Sequence, residues 1–592
     1  MKKLVYYAFV ATILLMQACQ KKTEKAEGTM PPISEVFARY YEERLPLYPL
    51  EATMNGDNRY NDKMSDDLSQ AGKSRMIAFY RKYQDELAKY DRGKLTPEEK
   101  VSWDLIEWEC SINLEGLKYP VELMPINQIF STHLMIGQMA SGSSLQPFKT
   151  VKDYDNWLKR VDGFVVWCDT AVVNMRSGIK QGYVLPAPLI KKVIPQFADM
   201  DHGPVKDHLF YSPVKNFPKG FSDEDKARLE KEYAAMVESK VIPTFQKMHV
   251  FMEKEYLPAG RMTDGFAALP NGKALYNYYI KYYTTTDLTA EDIHQIGLKE
   301  VARISAEMEK VKAQVGYQGD LKSFFNAVRA NKKLMPFTKA EQVIAHFNEI
   351  HERMKPNLTK LFELTPKTPF EVRRTEAFRE ASASAEYNPG LPDGSRPGIF
   401  YVPVPDAKEY NIVSDESLFL HEAIPGHHYQ ISLQQENTAL PEFRKNLWYS
   451  AYGEGWALYT ESLGKELGLY TDPYQYFGML SAEMHRAIRL VVDTGLHAKG
   501  WTRDQAIKYS LDHEAESEES ITAEVERYMA GAGQALSYKI GQLKIRELRS
   551  KAEKEMGTKF DIRAFHKLVL ESGCVPLKLL EDKANAWITA GK

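Results

Sequence analysis

The residues of this chain best suited to chemistry are histidines and carboxylates gathered between positions 414 and 461. The run Ser414-Asp-Glu-Ser-Leu-Phe-Leu-His421-Glu422-Ala-Ile-Pro425-Gly426-His427-His428 holds three of the histidines. Ser414 or Asp415 can cap a helix whose first turn favours acidic side chains, which puts His421 about two turns in. A zinc-binding helix ordinarily carries histidines at i and i+4 on one face, with a glutamate beside the metal as general base. Here position 425 is proline. His427 stands six residues beyond His421, which in an unbroken helix is about 600° of rotation and the wrong face. His428 returns to the right face but lies about 10 Å along the axis, too far to share a metal whose bonds are about 2 Å long. Pro425 removes a helical hydrogen bond and Gly426 tolerates the backbone that results. The motif therefore reads as His-Glu-x-x-x-Gly-His, a helix with two extra residues looped out that return His427 to the metal, with His428 as the competing ligand. The dipeptide His-Glu alone says little, since it recurs at 351–352 and 513–514. Buried histidines making ordinary hydrogen bonds are the alternative.

Zinc in a hydrolase usually takes three protein ligands and keeps one position open. Glu454, in the run SAYGEGWALYTESLGKELG, is the third candidate. Its neighbours Tyr452, Trp456, Ala457 and Leu458 make an apolar setting in which an unpaired carboxylate is costly. Glu461, two turns on along the same face, is placed to orient a ligand rather than to share the metal. Arg489, Asp493 and His497 recur at four-residue spacing and stack on one helix face. Asp493 can orient His497, Arg489 can hold Asp493, and His497 can stabilise a tetrahedral oxyanion; a purely structural polar network fits that spacing equally well. Tyr528 and Tyr538 can donate to the developing oxyanion, and Arg527 can take a substrate carboxylate.

The elements that must position these residues read mostly as helix. Segments 224–256, 287–315, 340–363 and 476–499 show apolar residues at three- and four-residue spacing. Thr289 is an N-cap candidate with Glu291 and Asp292 in the first turn. The best strand candidate is Gly398–Pro403, short, β-favouring and bounded by prolines. As an edge strand beside the site it would pair with an extended peptide, making Gly398, Phe400 and Tyr401 candidate substrate contacts. The expected fold is mainly α, a large two-lobed helical structure with a central cleft and a small β element. The expected division is an N-terminal helical lobe over 31–375 and a catalytic helical lobe over 376–592.

The N-terminus reads differently. Lys2 and Lys3 precede an apolar run, Leu4 to Met16, too short to span a bilayer comfortably. It ends in Leu-Met-Gln-Ala-Cys19, which resembles a bacterial lipobox. Residues 1–18 are expected to be a lipoprotein signal peptide, Cys19 the lipidated residue, and 19–30 a polar tether. This implies export and a lipid anchor in the bacterial envelope, with membrane contact through that anchor alone. Cys110, Cys168 and Cys574 are odd in number and sit among apolar residues, so buried free thiols are expected. The net charge of −3 over 592 residues, with no clustered basic excess, excludes a nucleic-acid footprint.

With these residues in view the chain resembles the bacterial family called domain of unknown function 885. The resemblance runs through YPLEATMNGDNRYND (48–62), MPINQIF (124–130), RPGIFYVP (396–403), HEAIPGHH (421–428), EGWALYTE (454–461), RLVVDTGLHAKGW (489–501), GQALSYKIG (533–541) and VPLKLLE (575–581). That family is similar to the gluzincin metallopeptidases. The resemblance implies a helical fold with a deep cleft, His421, His427 and Glu454 as zinc ligands, Glu422 as base, and Tyr538 facing the substrate carbonyl. Ala532 departs from the family, whose members often carry proline there.

The function expected from the sequence is zinc-dependent hydrolysis of peptide bonds in short peptides, of oligopeptidase or carboxypeptidase kind. Its rivals are an amidase acting on cell-wall peptides or another amide, and an inactive lipoprotein that captures peptides. The sequence leaves the oligomeric state open.

Overall fold

The computed structural model describes residues 30–592 apart from 143, 377–379, 381–382 and 395. The expected signal peptide, Cys19 and nearly all of the tether lie outside the described residues. Helix dominates, beside one three-stranded sheet. The periodic segments become helices because their apolar stripes need a partner face to bury against. The segment 224–256 is helical throughout, with single π turns at Val237–Val241 and Met252–Tyr256. Helix α1 (Gly272–Thr284) precedes α2 (Ala290–Gln314), which Thr289 caps as its position predicts, accepting the Asp292 N–H at 3.1 Å.

One hydrophobic core draws on residues from Ile33 to Ile588, on both sides of position 375. A second, between Leu50 and Tyr256, is formed by N-terminal helices alone. Helices α3 (Asp415–Glu422) and α4 (His427–Glu436) carry the histidine motif; α5 (Ser450–Glu461) packs on both and α6 (Pro473–Ala498) on α3, while α7 (Glu518–Ala530) packs on α6 and α8 (Ser537–Met556) on α5. Helix α6 packs along α2, and α5 along α8. The second pair approaches closely because glycine meets glycine: a Cβ on Gly455 would stand 2.5 Å from the Gly541 Cα.

The sheet comprises β1 (Phe370–Arg374), β2 (Glu386–Asn388) and β3 (Gly398–Val402) in the order β1-β3-β2. Strand β3 runs parallel to β1, with Phe370 opposite Gly398, and antiparallel to β2, with Tyr387 opposite Phe400. The strand therefore forms where the sequence places it, but it is central and not at an edge. Both of its hydrogen-bonding sides are occupied, so it cannot add a substrate strand. Cys110, Cys168 and Cys574 are buried free thiols, as expected. No helix among the described residues is long and apolar enough to cross a membrane.

Candidate metal centre

The histidine motif lies on two helices. Helix α3 stops at Glu422, and α4 begins at His427 after the joint Ala423–Gly426. The expected single helix with two residues looped out is thus replaced by a clean break. Proline supplies one reason, since it cannot continue the α3 hydrogen-bond ladder. Gly426 supplies another: a Cβ there would fall 1.9 Å from the His421 carbonyl oxygen. Helix α5 holds the joint from outside. Trp456 Nε1 donates to the Pro425 carbonyl at 2.9 Å, and Thr460 Oγ1 donates to the Leu420 carbonyl at 2.9 Å. Neither Ser414 nor Asp415 caps α3 with its side chain. Asp415 is buried and accepts from the Tyr410 hydroxyl at 3.0 Å; burial pushes its carboxyl up to about 8.

Across the break, His421 and His427 converge on Glu454. One ligand atom from each of the three lies within 4.8 Å of the others. Glu454 Oε2 stands 3.3 Å from His427 Nε2 and 3.7 Å from His421 Nε2. Ligand bonds of about 2 Å in a tetrahedron imply ligand–ligand edges of about 3.3 Å, with which the 3.3 and 3.7 Å spacings are compatible. Two imidazole nitrogens and a carboxylate oxygen form a donor set that zinc takes, and the residues fit the ion. The imidazole rings meet at 89°. His421 Nδ1 lies 2.7 Å from Glu461 Oε1, while the other carboxylate oxygen accepts from Ser417 Oγ at 2.7 Å. A carboxylate oxygen can only accept there, so Nδ1 carries a proton, and the ring is held with Nε2 turned toward Glu454. His427 Nδ1 is buried with no hydrogen-bond partner among the described residues.

His428 points the other way. Its Nδ1 pairs with the Tyr387 hydroxyl at 2.9 Å and its ring lies against Phe370 at 4.9 Å. Burial pushes it down to about 4. Electrostatics separate the carboxylates of the motif. Burial would raise Glu454, but hydrogen bonds from His421 and His427 outweigh it and hold the carboxyl well below its ordinary range. Glu422 is raised, by burial first and by Glu454, against the pull of His421, His427 and Arg486. Burial likewise lowers His421, yet Glu454 and Glu461 lift it to about 9.

A family model described as bacterial protein of unknown function (DUF885) matches residues 49–583. The chain belongs to the DUF885 family. Its fold is shared by a lipoprotein candidate from Colwellia psychrerythraea, 28% identical with a TM-score of 0.87 over 94% of this chain and 98% of that one. It is also shared by a lipoprotein candidate of unknown function from Shewanella oneidensis, 21% identical with a TM-score of 0.71 over 93% and 99%. The comparison with curated proteins finds no match.

Other expected site residues of this DUF885 chain are placed differently from their sequence reading. His497 is fully buried and spends both ring nitrogens on backbone, accepting the Phe266 N–H at 3.0 Å and meeting the Tyr528 carbonyl at 3.0 Å. Burial pushes it down to about 3. It is a packing residue with no nitrogen left for an oxyanion. Asp493 does not orient it; its carboxylate accepts from the Tyr276 hydroxyl at 2.6 Å and the Gly533 N–H at 3.1 Å. Nor does Arg489 hold Asp493. Arg489 pairs with Glu524 at 2.9 Å, donates to the Tyr528 hydroxyl at 3.3 Å, and lies 4.6 Å from the Tyr538 ring centre. The Tyr528 hydroxyl donates to Glu524 at 2.9 Å, so its proton is committed. Among the described residues the Tyr538 hydroxyl has long hydrogen bonds, 3.5 Å from Arg527 and 3.4 Å from Gln534. Arg527 is also drawn to Glu524 at 3.3 Å and Gln534 at 2.8 Å.

On the sheet, Gly398 is pressed against Tyr387 and His428, where a Cβ would stand 2.4 Å and 2.7 Å away. Phe400 is fully buried between Phe347 and Phe419. It is core and cannot touch a substrate. Tyr401 faces Arg373 and Glu386 across the two ladders.

Four residues near the motif escaped the sequence reading. Glu524 organises Arg489, Arg527 and Tyr528, and His485 lies 3.5 Å from it and 2.6 Å from Glu514. Their spacing was informative, since Glu524 precedes Tyr528 by one turn and His485 precedes Arg489 by one turn. Arg486 faces Glu422 electrostatically. Trp448 is 44% exposed with its ring 5.8 Å from that of His427, and no pattern in the sequence marks it.

Proposed function

We propose that this protein is a zinc-dependent hydrolase of peptide bonds that acts on short peptides. The observation that carries this reading is the convergence of His421, His427 and Glu454 beside Glu422, from three helices, at spacings compatible with a metal polyhedron. When bound by these three residues, zinc lowers the pKa of water to about 7 and polarises a carbonyl. Glu422, raised by burial, is the carboxylate of the motif suited to accept a proton from the attacking water and to return it to the leaving amine. Glu461 holds the His421 ring in the ligand orientation. Tyr538, the least committed hydroxyl of the cluster, is the donor available to a developing oxyanion, with Arg489 lying by its ring. Arg527 is the candidate for a substrate carboxylate.

Restricted access favours short, extended substrates. His421 and His427 are nearly buried. On α1, which packs on α5 and α8, Tyr279, Tyr282 and Tyr283 have hydroxyls pushed upward by burial. The lipobox-like run ending at Cys19, and the description of both structural relatives as lipoprotein candidates, support a lipid-anchored protein of the bacterial envelope.

The test is a Glu422→Gln variant beside wild type, assayed for zinc content and for cleavage of a mixed peptide library. The reading expects about one zinc per chain in both, turnover in the wild type and none in the variant. A chain that takes up no zinc, or a variant that cleaves as the wild type does, overturns it.

A further inference from the structure

The loop Asn446–Tyr449 places Trp448 at the rim of the triad. A tryptophan left 44% open to solvent is unusual for so large an apolar surface. This one is fixed rather than loose. Gln434 Nε2 donates to the Arg444 carbonyl at 2.7 Å and to the Leu447 carbonyl at 2.9 Å, and the Tyr449 N–H donates to Cys574 Sγ at 3.1 Å. Beneath the indole lies Gly453, where a Cβ would stand 2.1 Å from the Trp448 six-membered ring. Gly453 directly precedes Glu454, and the indole centroid lies 5.8 Å from the His427 ring. One region of the indole thus rests on the backbone that carries one triad residue, another abuts a second triad residue, and the remainder is open.

We infer that Trp448 is a specificity residue: its open surface takes an aromatic side chain of the peptide residue next to the bond held at the triad. The inference rests on the function proposed above and adds the substrate class. An indole fixed in advance loses little conformational freedom on binding, and an aromatic side chain laid against it covers both rings from water with favourable ring–ring geometry. Glycine at 453 is what the platform requires, because any side chain there would lift the indole away from the triad.

The test uses the full chain, purified in detergent and supplied with zinc, and three pentapeptides: Ala-Ala-Phe-Ala-Ala and its counterparts with alanine or lysine at the centre. Binding is measured by calorimetry on the Glu422→Gln protein, and kcat/KM on the otherwise native protein. The phenylalanine peptide is expected to bind about tenfold tighter than the alanine peptide. Adding Trp448→Ala should reduce that preference to about twofold or less with zinc content unchanged, and Trp448→Phe should keep most of it. The inference is overturned if Trp448→Ala retains the preference, if it weakens all three peptides equally, if the lysine peptide is preferred, or if none binds tighter than about 1 mM. Turnover without a phenylalanine preference would remove this inference and leave the hydrolase. A Trp448-dependent preference without turnover would remove the hydrolase and leave a binding site for aromatic peptides.

Discussion

Replacing Glu461 by glutamine isolates what the carboxylate behind His421 contributes to the proposed metal site. Glu461 is buried and meets His421 Nδ1 at 2.7 Å with one oxygen and Ser417 Oγ at 2.7 Å with the other. Glutamine keeps the size and one acceptor oxygen but removes the charge. A hydrogen bond to a charged group contributes roughly 1.5–3 kcal/mol and a neutral one roughly 0.5–1.5. The variant therefore loses about 1–1.5 kcal/mol of support for the ligand tautomer, or about tenfold in zinc affinity. Replacement of carboxylates behind ligating histidines typically weakens metal binding by about 10–100-fold, so the two routes agree at their lower end. Leucine at 461 should do worse, since it orphans both the His421 N–H and the Ser417 hydroxyl in a buried place. The assay is competition for zinc against a chromophoric chelator near neutral pH. Zinc affinity unchanged within about twofold in both variants would refute the reasoning, because His421 would then need no partner to present Nε2.

His427→Ala should lose zinc, whereas His428→Ala should keep it, because His428 faces Tyr387 and Phe370; elemental analysis of both variants decides. Gly426→Ala should lower the melting temperature and the zinc capacity together, since its Cβ would overlap the His421 carbonyl; overpacking of this kind costs about 1–3 kcal/mol, and an unchanged melting curve would contradict it. His497, pushed down to about 3 from an unfolded value near 6.5, stays neutral in the fold while the unfolded chain takes up a proton. Its contribution is therefore present above pH 6.5 and lost as pH falls from there toward 3. At pH 5 the loss is about 2 kcal/mol. Urea unfolding of wild type and His497→Asn at pH 7 and pH 5 should show the stability gap between them narrowing by about that amount, and a constant gap would refute the assignment.

The helices were legible in the sequence because their period is local. Thr289 could be read as a cap, and segments 224–256 and 476–499 as amphipathic runs, without knowing what they pack on. The strand at 398–402 was legible for the same reason, but its place in the sheet was not. Whether β3 lies at an edge depends on β1 and β2, whose pairing is fixed by distant chain, and the exposed peptide-binding edge assumed for Phe400 became a core position. Spacing also misled at Arg489, Asp493 and His497. Four-residue recurrence puts three side chains on one face, but each found a stronger partner from another element: Glu524, Tyr276 and the backbone of Phe266 and Tyr528. At the motif, the arithmetic of helix rotation excluded a regular arrangement, and Pro425-Gly426 located the irregularity. That arithmetic could not say whether the residues bulge from one helix or part it into two, because the answer lies in α5.

In a regular motif the interval between the two histidines is a property of one helix and tolerates no change in length. Here that interval is transferred to a neighbour. Helix α5 supplies Glu454, grips the joint through Trp456 and Thr460, and aligns His421 through Glu461. It acts as an external template for a segment that does not template itself. On the proposed zinc reading, the two additional residues between His421 and His427 are accommodated because a second helix registers both ends of the joint.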